Sequence, residues 1–142
     1  MLFSDKTAIE LNSEPRVTYV RRKKGEKATA AHRKSHKPFK KRLLVWGAIH
    51  ASGPGPIKII KGTMVGAKYL ETIQECVFPF AEEIGLFQQD NAPPHKTQVV
   101  LKSLEDAQIT LMNWPPYSPD LNCIENMWKI LKDKVHLQHP TT

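Results

Sequence analysis

Apolar positions change their period along the 142-residue chain, and the changes mark out the elements. Residues 1–3 are a short apolar stub ahead of Asp5, and residues 16–20 alternate with β-branched and aromatic side chains as a strand would. Residues 43–49, LLVWGAI, form an almost continuous apolar run suited to a strand covered on both faces. GPGP at 53–56 predicts a turn, with a short strand leaving it over 57–60. The period then lengthens. Tyr69, Leu70, Ile73, Val77, Phe80 and Ile84 recur three or four apart, predicting an amphipathic helix over about 65–84. Pro79 falls inside it and predicts a kink or an early end, because proline removes a donor and clashes one turn back. Residues 86–89 read as a strand ending at Asp90, residues 96–107 as a helix, and residues 109–114 as a strand stopped by Pro115 and Pro116. A last helical stripe comprises Leu121, Ile124, Trp128, Leu131 and Val135, with Asp120 or Asn122 as its N-cap. Strands that first follow one another and later alternate with helices predict an α/β fold, a mixed sheet with helices on its faces.

Charge adds a second layer. The net charge is +7, yet residues 16–42 hold twelve Lys or Arg and one acid, Glu26, a local +11 on a body that is otherwise −4. This basic segment lacks an apolar period and predicts a long hairpin or loop over residues 21–42 within one domain, residues 1–142. A patch of that density suits a polyanion, because each neutralised phosphate releases counterions. Arg21, Arg22, Lys23, Lys24, Lys40, Lys41 and Arg42 are the candidate contacts. No apolar run approaches the roughly 18 residues of a membrane span. Two cysteines, Cys76 and Cys123, make no disulfide framework and fit a reducing compartment.

Three acids stand at element ends or edges: Asp5, Asp90 and Glu125. Glu125 lies about 100° round the last helix from Ile124, at the margin of its buried face. Converging carboxylates supply the hard oxygen ligands that Mg²⁺ prefers, and their mutual repulsion favours recruiting a cation. Read alone, an acid at a strand end is more often a solvated cap. His95 and Asn91 flank Asp90 and are candidates to orient a water or a phosphate, with a proline-stiffened turn as the alternative. Trp46 and Trp128 fall in apolar stripes and read as core, whereas Trp114, beside the Pro115-Pro116 turn, is the better candidate for an exposed ring. His136 and His139, with Cys123, match no standard zinc set.

The segments around the acids are more specific. QQDNAPPH at 88–95, SPDLNCIENMW at 118–128, FSD at 3–5 and LVWGAI at 44–49, with 34 residues between Asp90 and Glu125, together resemble the catalytic domain of Tc/mariner superfamily transposases. Glu125 at the third position resembles the Tc branch, and the likeness runs from about residue 2 to 135. It implies an RNase H-like fold, a five-stranded mixed sheet flanked by helices. It implies that Asp5, Asp90 and Glu125 are the catalytic metal ligands for two Mg²⁺ ions, with Mn²⁺ substituting. It further implies DNA as substrate and partner, cleaved at transposon ends and joined to a TA target. With DNA go a nuclear location, allowance for a homodimer, and no membrane or small-molecule substrate.

Departures from the family pattern carry their own expectations. The N-terminal helix-turn-helix domains of the family have no counterpart here, so sequence-specific recognition of transposon ends is not expected. Only four residues precede Asp5, which predicts a curtailed catalytic strand. Lys6 stands where the family usually has an acid, KPFKKR replaces a glycine-rich stretch, and Cys123 replaces a proline. These features predict a domain truncated at both ends that does not act autonomously. The alternative is a catalytically inactive, nucleic-acid-binding remnant of a transposable element.

Overall fold

The computed structural model describes residues 1–11 and 42–138. The expected strand at 16–20, the basic residues Arg21, Arg22, Lys23, Lys24, Lys40 and Lys41, and His139 lie outside the described residues.

Five strands form one mixed sheet: β1 (Leu2–Glu10), β2 (Arg42–His50), β3 (Gly53–Ile60), β4 (Leu86–Gln88) and β5 (Thr110–Leu111), in the order β3-β2-β1-β4-β5. β2 runs antiparallel to β1 and β3, whereas β1–β4 and β4–β5 are parallel. The helices are α1 (Gly66–Cys76), α2 (Ala81–Ile84), α3 (Gln98–Asp106) and α4 (Ile124–Leu137). Among the described residues no helix is long and apolar enough to cross a membrane.

β1 corrects the expectation of a stub. It runs for nine residues and pairs with β2 throughout, from Leu2 opposite His50 to Glu10 opposite Arg42. Asp5 therefore sits mid-strand in the centre of the sheet. The turn expected at 53–56 falls instead at residues 51–52, and β3 begins at Gly53, whose φ of 138° only glycine tolerates easily. Pro54 and Pro56 are accommodated because β3 is an edge strand that need not donate outward. Pro79 acts as expected: α1 stops at Cys76, and a 3-10 turn at Phe78–Phe80 leads into α2.

Side chains of a strand point alternately to either face, so β2 serves two cores. Trp46 and Ala48 join Leu2, Tyr69, Ile73, Phe87, Val100 and Leu104 on the α1/α3 face. Val45 joins Ile9, Ile124 and Trp128 on the α4 face. Trp46 and Trp128 are core residues, as their stripes predicted.

Candidate active site

The parallel pairing of β1 with β4 ends at Phe3 opposite Gln88. Two residues further along each chain stand Asp5 and Asp90. The sheet thus opens between β1 and β4 just where the two acids are carried, at the carboxyl end of β4, the part of an open α/β sheet where ligands usually bind. Glu125 enters from the first turn of α4 and is exposed.

A buried polar clasp joins the three segments beneath the acids. The Ser4 N–H donates to Gln88 Oε1 at 3.1 Å, and Ser4 Oγ donates to the Gln88 carbonyl at 2.8 Å. Asn122 Nδ2 donates to the Ser4 carbonyl at 3.2 Å and to Gln88 Oε1 at 3.3 Å. Asn122 also accepts the Ile124 N–H on Oδ1 and the Glu125 N–H on its backbone carbonyl, so it organises the start of α4. The N-cap position of α4 falls at Cys123, so neither expected cap occupies it: Asn122 acts from one residue further out, and Asp120 lies in a separate 3-10 turn, Pro119–Leu121. Ser4, Gln88 and Asn122 are all buried, where a satisfied hydrogen bond is strongly favoured over a missing one. Each precedes a candidate acid by one to three residues.

Each aspartate has its own brace. The Trp128 indole Nε1–H donates to Asp5 Oδ2 at 3.1 Å. Burial pushes the Asp5 carboxyl up, and the charges of Glu125 and Asp90 add to that, against the Lys6 N–H and the indole N–H, which pull it down. Asp90 shows the opposite balance. Burial alone would raise it, but the His95 hydrogen bond and charge, the Ala92 N–H and the Lys6 charge outweigh burial and hold it below its ordinary value. His95 Nδ1 lies 2.5 Å from Asp90 Oδ1, and the Ala92 N–H donates to the same oxygen at 3.0 Å.

His95 is buried and stacked on Tyr69, with ring centroids 3.8 Å apart. Tyr69 in turn donates its hydroxyl to Gln89 Oε1 at 2.6 Å. His95 is accordingly turned toward Asp90 and packed into the fold, not displayed on the surface. Asn91 donates its side-chain amide to the Trp114 carbonyl at 2.8 Å, and the Trp114 ring meets Phe3 edge-on at 6.3 Å. Arg42, the first residue of β2, forks onto Glu10 Oε1 through Nε at 3.1 Å and Nη2 at 2.8 Å, with its side chain largely exposed.

Asp5 thus feels both other acids electrostatically. Among the described residues, however, no group of three or more His, Cys, Asp or Glu side chains is gathered closely enough to form a ready-made metal cluster. Sequence reasoning singled out Asn122 and His95 but missed the partners of Asn122, Ser4 and Gln88, and the Trp128 brace on Asp5, whose one signal was a tryptophan three residues after Glu125.

A five-stranded mixed sheet in this order, with helices on both faces and acids on β1, after β4 and in α4, is an RNase H-like domain. The chain belongs to the DDE superfamily endonucleases, whose family pattern it matches over residues 1–141, and it is a DDE domain of the Tc/mariner transposase type. It is 36% identical to the Tcb1 transposase of Caenorhabditis briggsae over 97 residues, 66% of this chain and 36% of that protein. With the Tcb2 transposase of the same species it shares 27% identity over 133 residues, 90% of this chain and 49% of that protein. The chain therefore spans between about a third and a half of the length of these relatives. Among solved structures, the Mos1 mariner paired end complex with Mn superposes with a TM-score of 0.77 at 20% identity, covering 99% of this chain and 44% of that one. The Mos1 strand transfer complex gives 0.73 at 21% identity, covering 94% and 40%.

Proposed function

We propose that the chain is a DNA strand-cleavage and strand-transfer domain in which Asp5, Asp90 and Glu125 hold two Mg²⁺ ions, replaceable by Mn²⁺. The observation that carries the reading is the matched placement of Asp5 and Asp90 two residues beyond the last parallel pair, with Glu125 within electrostatic reach. The donor set suits the ion: all ligands are carboxylate oxygens, and the charge that Asp90 and Glu125 impose on Asp5 is what a hard cation relieves. When bound, such a pair of ions activates the attacking oxygen and stabilises the leaving one. The protein's own share is to hold Asp90 ionised through His95 and to fix the three segments through Ser4, Gln88 and Asn122.

DNA is the proposed partner, held by residues 21–42 with Arg42 at the foot of β2, and the proposed location is the nucleus. The DNA and metal parts of this reading have support among similar structures: the solved Mos1 complexes include a paired-end complex with the left transposon end and forms with Mn and with Mg. Cleavage at transposon ends, joining to a TA target and a homodimeric state belong to the same proposal.

Calorimetric titration of the full chain with Mn²⁺ tests it, beside Asp90→Asn and Glu125→Gln. Saturable binding that both variants weaken while remaining folded is the expected result. Unchanged affinity in Asp90→Asn would overturn the reading.

A second reading is favoured by the +11 charge of residues 16–42 and by the open arrangement of the acids: a nucleic-acid-binding domain without catalysis. It requires salt-sensitive DNA binding that survives Asp90→Asn and is lost on charge reversal of Arg21, Arg22, Lys23 and Lys24.

A further inference from the structure

We infer that Trp128 is a positioning residue for Asp5, holding its carboxylate toward α4 and so toward Glu125, and that Gly47 is glycine to let it do so. The inference rests on the proposed metal role of Asp5 for its consequence, but on geometry for the contact itself.

Asp5 lies directly opposite Gly47 across the β1–β2 ladder. A Cβ built on Gly47 would stand 2.6 Å from Trp128 Cη2 and 3.4 Å from Cζ2, so the indole occupies the space a side chain would take. No ordinary residue fits there without displacing the ring. The ring is only 3% exposed, and its Nε1–H reaches past Gly47 to Asp5 Oδ2 at 3.1 Å. Trp46, one residue before Gly47, points its own indole to the opposite core, where its Nε1–H has no partner among the described residues. The hydrogen bond to Asp5 is therefore particular to Trp128.

Glu125 and Trp128 are three residues apart on α4 and share one side of the helix. The indole thus ties β1 to the helix that carries Glu125, and it sets the distance over which the two acids act on one another. Besides the indole, the Asp5 carboxylate has the neighbouring Lys6 N–H, a local contact within β1 that does not tie it to α4. Groups that orient a ligand from outside its coordination shell usually alter metal affinity about 10- to 100-fold when removed.

Trp128→Phe keeps the ring and removes the donor, whereas Gly47→Ala keeps the donor and displaces the ring. In Mn²⁺ calorimetry of the full chain both variants are expected to bind at least about tenfold more weakly than wild type, with Trp128→Phe retaining the wild-type circular dichroism spectrum. Equal affinity in Trp128→Phe and wild type would overturn the positioning role. A second readout does not depend on metal. In ¹H–¹⁵N spectra without Mn²⁺, Asp5→Asn should shift the Trp128 indole resonance and leave those of Trp46 and Trp114 in place. Should wild type bind no Mn²⁺, the proposed function falls, and that spectrum decides the inference: a shifted Trp128 resonance upholds it, an unmoved one overturns it.

Discussion

Asp5, within β1, and Asp90, just beyond the end of β4, each lie two residues past the last β1–β4 pair, yet the fold treats them oppositely. Burial dominates at Asp5 and pushes its carboxyl up, while the His95 contact and its allies overcome burial at Asp90 and pull that carboxyl down. One acid is destabilised by its charge and the other is stabilised by it.

Asp5→Asn should therefore stabilise the metal-free protein. An aspartate whose folded pKa is raised penalises folding once pH exceeds its unfolded value, about 4, and the penalty is absent well below that. Thermal unfolding at pH 7 without divalent ions should give a higher midpoint, by about 3–5 °C for each kcal/mol relieved. The difference should vanish toward pH 3; a variant that melts lower at pH 7 contradicts it.

His95→Phe preserves a ring against Tyr69 and removes the donor to Asp90. With a lowered folded pKa, ionised Asp90 adds stability that is present above about pH 4 and lost as pH falls through the folded value. The variant should lose about 1–3 kcal/mol at neutral pH. Its deficit against wild type should narrow in acid. Urea titrations at pH 7 and pH 3 measure both quantities, and parallel deficits at the two values would dismiss the account in which His95 stabilises ionised Asp90.

Asn122→Ala breaks the clasp at its centre. It strands the Gln88 and Ser4 acceptors partly unpaired in a buried setting and removes the acceptor for Ile124 N–H. A loss of about 1–3 kcal/mol in urea unfolding is expected. Hydrogen exchange should quicken first at the amides of Ile124 and Glu125.

The two thiols differ. Cys76 is buried, which pushes its thiol up, and Cys123 is exposed. Iodoacetamide at pH 8 followed by intact-mass measurement should add one label to the native chain, and two in guanidinium. Rapid double labelling of the native chain would place Cys76 outside the core.

Elements with a single strong period were legible in the sequence: β2 as an apolar run, α3 and α4 as stripes, and the break that Pro79 imposes on α1. β1 was not, because Asp5, Lys6 and Thr7 interrupt alternation in the middle of a central strand whose neighbours come from distant sequence. β5 was overread: residues 109–114 contain only two ladder residues, since β4 itself is three residues long and offers little to pair with. The acids were legible from their surrounding segments. Their supports were not, because Trp128 meets Asp5 across 123 positions and Ser4 meets Gln88 across 84. Trp114, read as an exposed ring, is half-buried and meets Phe3 edge-on.

The two cores lie on opposite faces of the sheet, and each grips a different acid. Asp90 is steadied through His95 and Tyr69 from the α1/α3 face, and Asp5 through Trp128 from the α4 face. The two aspartates therefore hang from separate cores, so a substitution that loosens the α4 face releases Asp5 while the stack of His95 on Tyr69 still holds Asp90.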